Sequence, residues 1–395
     1  MIHSVAQIIA IVSGVLAAGS VAYYALCLIG AARFLRQSKA AGRGPRPPKS
    51  LQPVSILKPL RGTDPEMYES LRSHCLQDFP DYEIIFGVSD PDDPAIPLIE
   101  RLKLEFPQCA VRWIVCAKKL GANIKVSNLA QMLFEAKHDF IVVNDSDIRV
   151  QPDYLSRVTA RLADPQVGLV TCLYRGVHGR TLGSRLESLG ISTDFSAGVL
   201  AARQLEGEIR FGLGSTLAFR RRDLEAIGGF KAFADYLADD YEIGRRIAER
   251  GFDVKLSDAV VETFLPAYTL REFVHHQLRW SRTVRDSRRW GYLGLVVTFG
   301  LPWALLALFL SLWLSCGTLA AWLLLVLVTG LRLAVALLVG WSVLRDRQVL
   351  PLLPLLPLRD LVAPLVWIAS LTGHTVMWRG ESFRLKNGKL VRIGP

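Results

Sequence analysis

Apolar stretches lie at the two ends of the chain and enclose a middle region of mixed polarity. Residues 4–32 include no charged side chain, and a second stretch from Trp290 meets its first charge at Arg332 and continues to Leu344. A helix that spans a bilayer needs about 20 apolar residues. The pattern therefore predicts one N-terminal membrane helix and two C-terminal ones, separated near Gly317.

Prolines interrupt the apolar sequence further on. Residues 350–357 read Leu-Pro-Leu-Leu-Pro-Leu-Leu-Pro, and proline disrupts the interior of a helix. Residues 362–377 are apolar enough for one short span, so we expect two full spans and a re-entrant or interfacial segment within residues 291–378. Because a charge is costly at the bilayer centre, Arg332 either packs inside the bundle or snorkels, or it binds an anionic lipid or a diphosphate.

The middle region alternates short β-rich runs with helical stretches. The predicted strands are 54–57, 82–88, 111–115 and 140–143, and the predicted helices are 65–77, 96–106 and 125–137. This alternation is typical of a parallel sheet covered by helices on both faces, which is the α/β class. The expected segments are an N-terminal transmembrane helix 1–33, a basic linker 34–53, an α/β domain 54–268, an amphipathic interfacial helix 269–290, a transmembrane or re-entrant region 291–378 and a basic cytoplasmic tail 379–395.

Basic residues border the apolar stretches. The formal net charge is +11, and the first stretch is followed directly by Arg33, Arg36, Lys39, Arg43, Arg46 and Lys49. The positive-inside rule then predicts a multi-pass protein of the inner (cell) membrane whose middle domain faces the cytoplasm. Anionic lipids account for basic runs beside membrane helices, so we expect no nucleic-acid partner. With 51% hydrophobic and 21% charged residues, a disordered chain is excluded.

Acidic residues follow two of the predicted strands, at the sheet edge where α/β proteins bind ligands. Asp90 and Asp92 come after strand 82–88, and Asp145 and Asp147 come after strand 140–143. In an extended Asp-Ser-Asp segment, both carboxylates lie on the same side. Crowded carboxylates repel each other unless a cation binds, and oxygen ligands suit Mg²⁺ or Mn²⁺. We therefore expect a divalent metal at Asp145 and Asp147.

A third acidic pair, Asp239 and Asp240, begins an amphipathic helical stretch. A helix N-cap would account for one of these aspartates but not for both. The glycine-rich residues 212–221 precede the pair, and Gly214 would let the backbone approach a sugar or a diphosphate closely. The pair and the loop are therefore candidates for a substrate site.

A basic amphipathic stretch, residues 271–290, lies directly before the second apolar region. One interpretation is an interfacial helix whose arginines contact lipid headgroups. For Arg279 and Trp280 we favour a functional role, because a guanidinium binds a diphosphate through paired hydrogen bonds and an indole can stack on a sugar.

These motifs follow the order D, DxD, D, (Q/R)xxRW. In this order the chain resembles glycosyltransferases of families 2 and 21 with a GT-A fold, which is a Rossmann-like, mostly parallel sheet. The closer similarity is to ceramide glucosyltransferases and to the bacterial hopanoid-biosynthesis glycosyltransferases. It covers about residues 50–290 and rests on residues 54–60, 92–96, 128–129, 144–150 and 239–241.

The resemblance implies a role for each motif. Asp90 or Asp92 would contact the uracil and ribose of a UDP-sugar. Asp145 would bind the diphosphate and the metal, Asp147 the metal alone, and Asp240 would be the general base. The other substrate-binding candidates are Lys125, Gly214, Asp239, Arg279 and Trp280, together with His276, which occupies the Q/R position, and its neighbour Gln277.

The implied reaction is the inverting transfer of a sugar from a UDP-sugar to the hydroxyl of a membrane lipid, with Mg²⁺ or Mn²⁺ as cofactor and a β-linked glycolipid as product. The sugar would be glucose or N-acetylglucosamine, and the acceptor a ceramide-like lipid or a hopanoid polyol from the bilayer. A processive polysaccharide synthase is the alternative enzyme, although it needs a larger bundle of spans. A non-catalytic membrane binding module is the alternative outside enzymes, and it would be expected to have lost an acidic position. The oligomeric state stays open.

Overall fold

The structure is a computed structural model that describes residues 1–41, 52–378 and 381–393. These residues divide into a helical unit, comprising Met1–Ala40, Arg180–Glu206 and Ala267–His374, and a sheet unit that holds the rest of the chain. Residues 180–206 thus belong with the membrane-type helices, although we expected them inside a continuous α/β domain. Part of the predicted linker, residues 42–51, lies outside the described residues.

The strands and helices alternate over the first part of the sheet unit, as predicted. In chain order, the strands are β1 Val54–Pro59, β2 Tyr82–Val88, β3 Ala110–Val115, β4 Phe140–Val143, β5 Ile148–Arg149, β6 Val167–Val177, β7 Leu217–Arg220, β8 Asp253–Phe264, β9 Thr375–Trp378, β10 Glu381–Lys386 and β11 Lys389–Arg392. The α-helices are α1 Ile2–Ala41, α2 Met67–Cys75, α3 Ile96–Glu105, α4 Ile124–Glu135, α5 Tyr154–Leu162, α6 Leu182–Gly190, α7 Ser196–Glu206, α8 Arg221–Ala226, α9 Asp239–Glu249, α10 Leu270–Ser287, α11 Arg289–Gly294, α12 Gly300–Trp313, α13 Thr318–Val335, α14 Val349–Leu352 and α15 Leu356–Leu371.

The main sheet, as far as the structure describes it, has the strand order β3-β2-β1-β4-β7-β6-β8-β5. β3, β2, β1 and β4 are mutually parallel, and β6 is parallel to β8. β7 runs antiparallel to β4 and β6, and β5 runs antiparallel to β8. Every residue of β1 is buried, as expected for a central strand with helices on both faces. The predicted α/β class with a mostly parallel sheet is confirmed.

A small antiparallel sheet, β11-β10-β9, completes the sheet unit. We expected a basic tail over residues 379–395, but β10 and β11 occupy most of that range. Phe383, Leu385 and Leu390 alternate with charged residues and are buried, and Asn387 and Gly388 both have positive φ between the strands. Asn-Gly is the sequence that favours a two-residue hairpin turn, so the local chemistry specifies strands despite the net positive charge.

The helical unit contains the apolar helices. Among the described residues, three helical stretches are long and apolar enough to cross a membrane: Ile2–Ala40, Thr318–Val343 and Val349–Leu371. A fourth is possible if the bent pair Arg289–Thr298 and Gly300–Trp313 forms one span. The predicted break near Gly317 is present, with φ 67. The proline-rich segment is helical after all, because its prolines occupy the first positions of α15 and short turns before it, where a missing N–H costs little.

Arg332 is buried inside the helical unit and is fully engaged there. Its Nε lies 3.0 Å from Asp360 Oδ2, and its Nη2 lies 2.8 Å from Asp360 Oδ1. The same guanidinium also donates to Asp194 and Thr193. These contacts favour packing inside the bundle over binding of a lipid or diphosphate, because protein groups already take up its hydrogen-bond donors.

Candidate active site

The Asp-Ser-Asp motif follows β4 as a tight turn. The Ile148 amide donates to the Asp145 carbonyl at 3.3 Å, so the motif forms a turn and not the extended segment that we expected. The chain turns because β5, which starts at Ile148, pairs with β8. As a result, Asp147 accepts a hydrogen bond from Thr263 on β8 at 2.5 Å, whereas Asp145 contacts other elements.

Asp145 and Asp240 converge on Gly214. A Cβ placed on Gly214 would lie 3.3 Å from Asp145 Oδ2 and 3.1 Å from Asp240 Oδ2. A side chain at this position would therefore crowd both carboxylates, which explains why a glycine stands there. The sequence analysis placed all three residues in one site, and the structure brings them together.

Asp239 and Asp240 occupy the first turn of α9, and neither side chain caps the helix. The Asp240 Oδ1 accepts the Tyr241 amide at 2.8 Å, while Asp239 Oδ1 accepts from the Asn123 side chain at 3.3 Å. Burial raises the pKa of Asp240 above its ordinary value, and the negative charge of Asp239 raises it further. A carboxylate with a raised pKa at a partly open position is suited to accept a proton.

Two lysines contact this cluster, and Lys125 supplies positive charge, whereas burial lowers the pKa of Lys58 to about 7. Lys125 Nζ lies 2.7 Å from Asp145 Oδ1 and 3.5 Å from Asp239 Oδ2. Although burial opposes its charge, the nearby carboxylates of Asp145, Asp239 and Asp240 raise the pKa of Lys125. Lys58, which sequence reasoning missed, is fully buried at the end of β1 and donates to the Asp145 carbonyl at 2.8 Å. A lysine inside a mostly apolar strand was the signal that could have revealed it.

A buried polar network holds the Asp145 turn against the glycine-rich loop. The side-chain Nδ2 of Asn144 lies within donating distance of the Ser215 carbonyl at 2.7 Å, Thr216 Oγ1 at 3.2 Å and the Tyr154 hydroxyl at 2.9 Å. His74 Nε2 lies 3.3 Å from Asn144 Oδ1. Both polar atoms of the buried Asn144 side chain thus have protein partners. This network holds the Asp145 turn and the glycine-rich loop at a fixed separation.

The carboxylate oxygens of Asp145 and Asp147 suit a divalent cation that also binds substrate oxygens. Burial and the charges of Asp145 and Asp64 raise the pKa of Asp147, so the carboxylates crowd each other in a way that a cation would relieve. No group of three histidine, cysteine, aspartate or glutamate side chains is arranged as a metal site within the described ranges. A Mg²⁺-type ion commonly takes only one or two carboxylates and completes its ligands with water and phosphate. Asp145 and Asp147 are the residues that would hold it.

Asp90 and Asp92 follow β2 at the same edge of the sheet. Both are exposed, and Asp90 Oδ1 accepts the Asp92 amide at 3.0 Å. β2 and β4 flank β1, so their ends lie about 10 Å apart. The neighbouring Asp93 is buried instead, and its carboxylate accepts the Gly62 and Ala95 amides. Asp93 therefore has a structural role, and Asp90 and Asp92 are left to face solvent at the sheet edge.

The residues of the (Q/R)xxRW motif lie on α10 in the helical unit. Gln277 Nε2 donates to Glu187 Oε2 at 2.7 Å, and its Oε1 accepts from Arg359 at 3.0 Å. His276 Nδ1 lies 3.2 Å from Glu187 Oε1. Gln277 is thus committed to protein contacts, and His276 stays the residue at the Q/R position of the motif.

Aromatic contacts fix the rest of the motif. The Trp280 ring packs edge-on against Phe195 with centroids 5.7 Å apart, and it also approaches His276 at 5.5 Å. Further along α10, Arg282 donates to the Thr372 carbonyl at 3.3 Å, and Arg285 donates to the Gly373 carbonyl at 2.8 Å. These two arginines therefore bind the end of α15, so lipid headgroups are not their only available partners.

Comparison with known proteins agrees with this architecture. The model of the family described as glycosyl transferase family 21 matches residues 12–391. The chain belongs to glycosyl transferase family 21. The membership confirms the resemblance derived from the motif order and makes this family 21 chain a glycosyltransferase.

Individual relatives agree with the family. Ceramide glucosyltransferase 3 of Caenorhabditis elegans is 25% identical over 364 residues, which cover 86% of this chain and 74% of that protein. The ceramide glucosyltransferase of Komagataella phaffii is 36% identical over 114 residues, 28% of this chain and 22% of that protein. Mannosyltransferase PcManGT from Pyrobaculum calidifontis, solved with GDP-Man and Mn²⁺, has a TM-score of 0.52 at 22% identity and covers 89% of this chain and 99% of that one. The GT-A fold expected for the sheet unit is thereby confirmed.

Proposed function

We propose that this family 21 protein transfers a sugar from a UDP-sugar to the hydroxyl of a membrane lipid, with inversion, and releases a β-linked glycolipid. The observation that carries the proposal is the convergence of Asp145 and Asp240 on Gly214, with Lys125 beside them. Such a cluster combines a candidate base with groups that attract a diphosphate.

Asp240 is the proposed general base. Its carboxylate has a raised pKa and lies at the mouth of the glycine-rich loop. Asp240 would remove the proton of the acceptor hydroxyl as the oxygen attacks the anomeric carbon and the bond to the diphosphate breaks. A single displacement of this kind inverts the configuration at that carbon.

Positive charge would stabilise the departing diphosphate. Lys125 is the candidate in the sheet unit, and Arg279 and His276 are the candidates on α10. A Mg²⁺ or Mn²⁺ ion held by Asp145 and Asp147 would neutralise charge on the diphosphate when it is bound. Asp90 or Asp92 would contact the uracil and ribose, and Trp280 would pack against a sugar. Asp239, through Asn123 and Lys125, would keep the cluster in place.

The choice of substrate rests on the relatives and on the membrane-type helices. Curated relatives named ceramide glucosyltransferases favour glucose and a ceramide-like acceptor, and a hopanoid polyol and N-acetylglucosamine are the second choices. The apolar helices α1, α13 and α15 would keep the enzyme where a lipid acceptor partitions. We propose a multi-pass protein of the inner membrane with its sheet unit in the cytoplasm, on the basis of the basic residues that follow α1.

Two other functions make different predictions. A processive synthase would release a long polymer from the same donor. A non-catalytic binding module would retain nucleotide-sugar binding without turnover, but the acidic positions required for catalysis are present in this chain.

The test is product analysis with the full-length protein in lipid vesicles. Labelled UDP-glucose, UDP-N-acetylglucosamine and GDP-mannose are each supplied with ceramide or with a hopanoid polyol, and the lipids are examined by mass spectrometry. We expect one sugar per lipid, in β linkage, from a UDP-sugar. A polymer, an α-linked product, exclusive use of GDP-mannose or complete inactivity would each contradict the proposal.

A further inference from the structure

The small C-terminal sheet packs on the segment that leads into Asp239 and Asp240. Val376, Phe383, Leu385 and Leu390 form a buried cluster together with Leu237, against which Ala122 and Trp378 also pack. Leu237 lies two residues before Asp239, and Ala122 lies two residues before α4. A segment at the far end of the chain therefore shares a core with both sides of the candidate active site.

Backbone hydrogen bonds join the same elements. The Leu390 amide donates to the Asp235 carbonyl at 2.7 Å, and the Leu237 amide donates to the Gly388 carbonyl at 3.1 Å. Tyr236 and Lys389 thus pair as in an antiparallel sheet. Residues 235–237 therefore pair with the hairpin like a neighbouring antiparallel strand, and this pairing fixes their register as well as their position.

The Asn387–Gly388 turn lies directly against this segment. A Cβ on Gly388 would lie 3.3 Å from Tyr236 Cδ1, and the residue has φ +76. The Lys389 ammonium lies over the Tyr236 ring, 5.3 Å from its centroid. Gly388 therefore meets both a conformational and a steric requirement, and a side chain at this position would press against Tyr236.

The start of α4 binds the opposite edge of the segment. The Ala122 amide donates to Asp235 Oδ1 at 2.9 Å, and the Asn123 amide donates to the Ala234 carbonyl at 2.7 Å. The Asn123 side chain donates to the Tyr236 carbonyl at 2.8 Å and reaches Asp239 at 3.3 Å. Asn123 is also the N-cap of α4, the helix that carries Lys125.

We propose that the C-terminal hairpin, β10 and β11, is a positioning element of the active site. It holds residues 234–237 against the start of α4 and so fixes where Asp239, Asp240 and Lys125 stand relative to each other. The functional part of this inference rests on the proposed role of Asp240, while the mechanical part rests on the contacts alone. The hairpin makes no contact with substrate in this role.

The experiment compares two leucines of similar burial in the sheet unit. Leu390 belongs to the hairpin cluster, and Leu162 is fully buried at the end of α5. Leu390→Ala and Leu162→Ala remove the same atoms, and both should lower the melting temperature. We expect kcat to fall about 10- to 100-fold in Leu390→Ala, because misplacement of a catalytic group by about 1 Å has an effect of that size. Leu162→Ala should retain kcat, and Leu390→Met should restore it.

Amide hydrogen exchange gives the readout that does not depend on the chemistry. Exchange across residues 234–242 should accelerate in Leu390→Ala and stay unchanged in Leu162→Ala. If Leu390→Ala does not fold, Gly388→Ala is measured in the same way, since it disturbs only the turn against Tyr236. Equal kcat and equal exchange in the hairpin and control variants would overturn the proposal. Accelerated exchange with full kcat would overturn the functional part of the inference, because the segment would be loosened without a loss of turnover, and the role of Asp240 would then be decided by Asp240→Asn alone.

Discussion

The sheet unit and the helical unit each contain a cluster of charged side chains. Carboxylates are in excess in the cluster of the sheet unit, whereas those of the helical unit are paired with an arginine. In the sheet unit, the carboxylates of Asp145, Asp147, Asp239 and Asp240 crowd together, and burial and mutual repulsion raise the pKa of Asp147, Asp239 and Asp240. In the helical unit, Asp360 and Asp194 each meet the guanidinium of Arg332. An unbalanced cluster gains stability from a ligand, whereas a balanced one is already part of the packing. The two clusters therefore differ in their ion pairs: Lys125 pairs with Asp145 and Asp239, whereas Arg332 pairs with both aspartates of its cluster.

Replacement of Asp240 gives the largest effect expected on turnover. Asp240→Asn removes the base but keeps the shape, so kcat should fall by about 10²–10⁴-fold. Binding of the UDP-sugar, measured by calorimetry, should persist, and the melting temperature should hold or rise because repulsion with Asp239 is relieved. Asp223→Asn offers a control, since that buried carboxylate pairs with Arg220 and should affect stability without a specific loss of kcat. Normal turnover in Asp240→Asn would end the assignment.

Removal of the divalent metal tests whether the excess of carboxylates in the sheet unit serves to bind a cation. Incubation with EDTA should lower activity about 100-fold or more, because a bound metal supplies several kcal/mol of charge stabilisation. Added Mn²⁺ or Mg²⁺ should restore it, whereas Ca²⁺ provides a comparison ion of larger radius. Full activity in EDTA, with metal content verified by mass spectrometry, would remove the metal role of Asp145 and Asp147.

Substitutions in the Arg332 cluster of the helical unit should lower the stability of the protein without changing its kinetic constants. Arg332→Met removes the guanidinium that pairs with Asp360 and leaves Asp194 with Arg359 alone, and it should destabilise the protein by about 3–5 kcal/mol. The double variant Arg332→Met/Asp360→Leu should recover part of that loss, since it removes both members of the main ion pair. Thermal unfolding in detergent measures both variants, and the fraction that remains folded should keep its KM for the UDP-sugar. A stable Arg332→Met protein with an altered KM would contradict the assignment of Arg332 to packing and would indicate a role in substrate binding.

Glu187 gives the smallest of these effects because it acts through the motif on α10. Although burial favours its neutral form, contacts with His276, Arg359 and Gln277 lower the pKa of Glu187 below its ordinary value. Glu187→Gln keeps the volume but loses the charge opposite His276, and we expect kcat to fall about tenfold, the equivalent of one charge-assisted hydrogen bond. Any acid limb of the pH profile of kcat that comes from protonation of Glu187 should also disappear, since the variant has no carboxyl group to titrate. An unchanged rate and profile would assign Glu187 to packing alone.

The first half of the sheet was predictable from the sequence, and the second half was not. β1 to β4 are short apolar runs separated by helical stretches, and their predicted bounds agree with the structure to within two residues. β6 and β8 are longer and carry polar residues such as Thr171 and Glu262 inside them, so no simple alternation marks them. Their pairing depends on long-range contacts that local pattern does not encode.

In the candidate site, too, residues that lie in local sequence motifs could be predicted, and residues that matter through tertiary contacts could not. Asp145, Gly214 and Asp240 could be assigned because each stands beside a recognisable strand end, loop or helix start. Lys58 and Asn144 could not, because their importance arises only when the chain brings β1, β4 and the glycine-rich loop together. The strands β10 and β11 were not predicted in the basic tail, although the Asn387–Gly388 turn and the alternation around it indicate a hairpin.

The order of the elements along the chain has a consequence for biosynthesis. β10 and β11 leave the ribosome after α1, α13 and α15 have already been synthesised. The segment before Asp239 therefore lacks its partner strand until translation has passed the last apolar helix. Residues 235–237 and the start of α9 would therefore reach their final arrangement only after the hairpin has been synthesised.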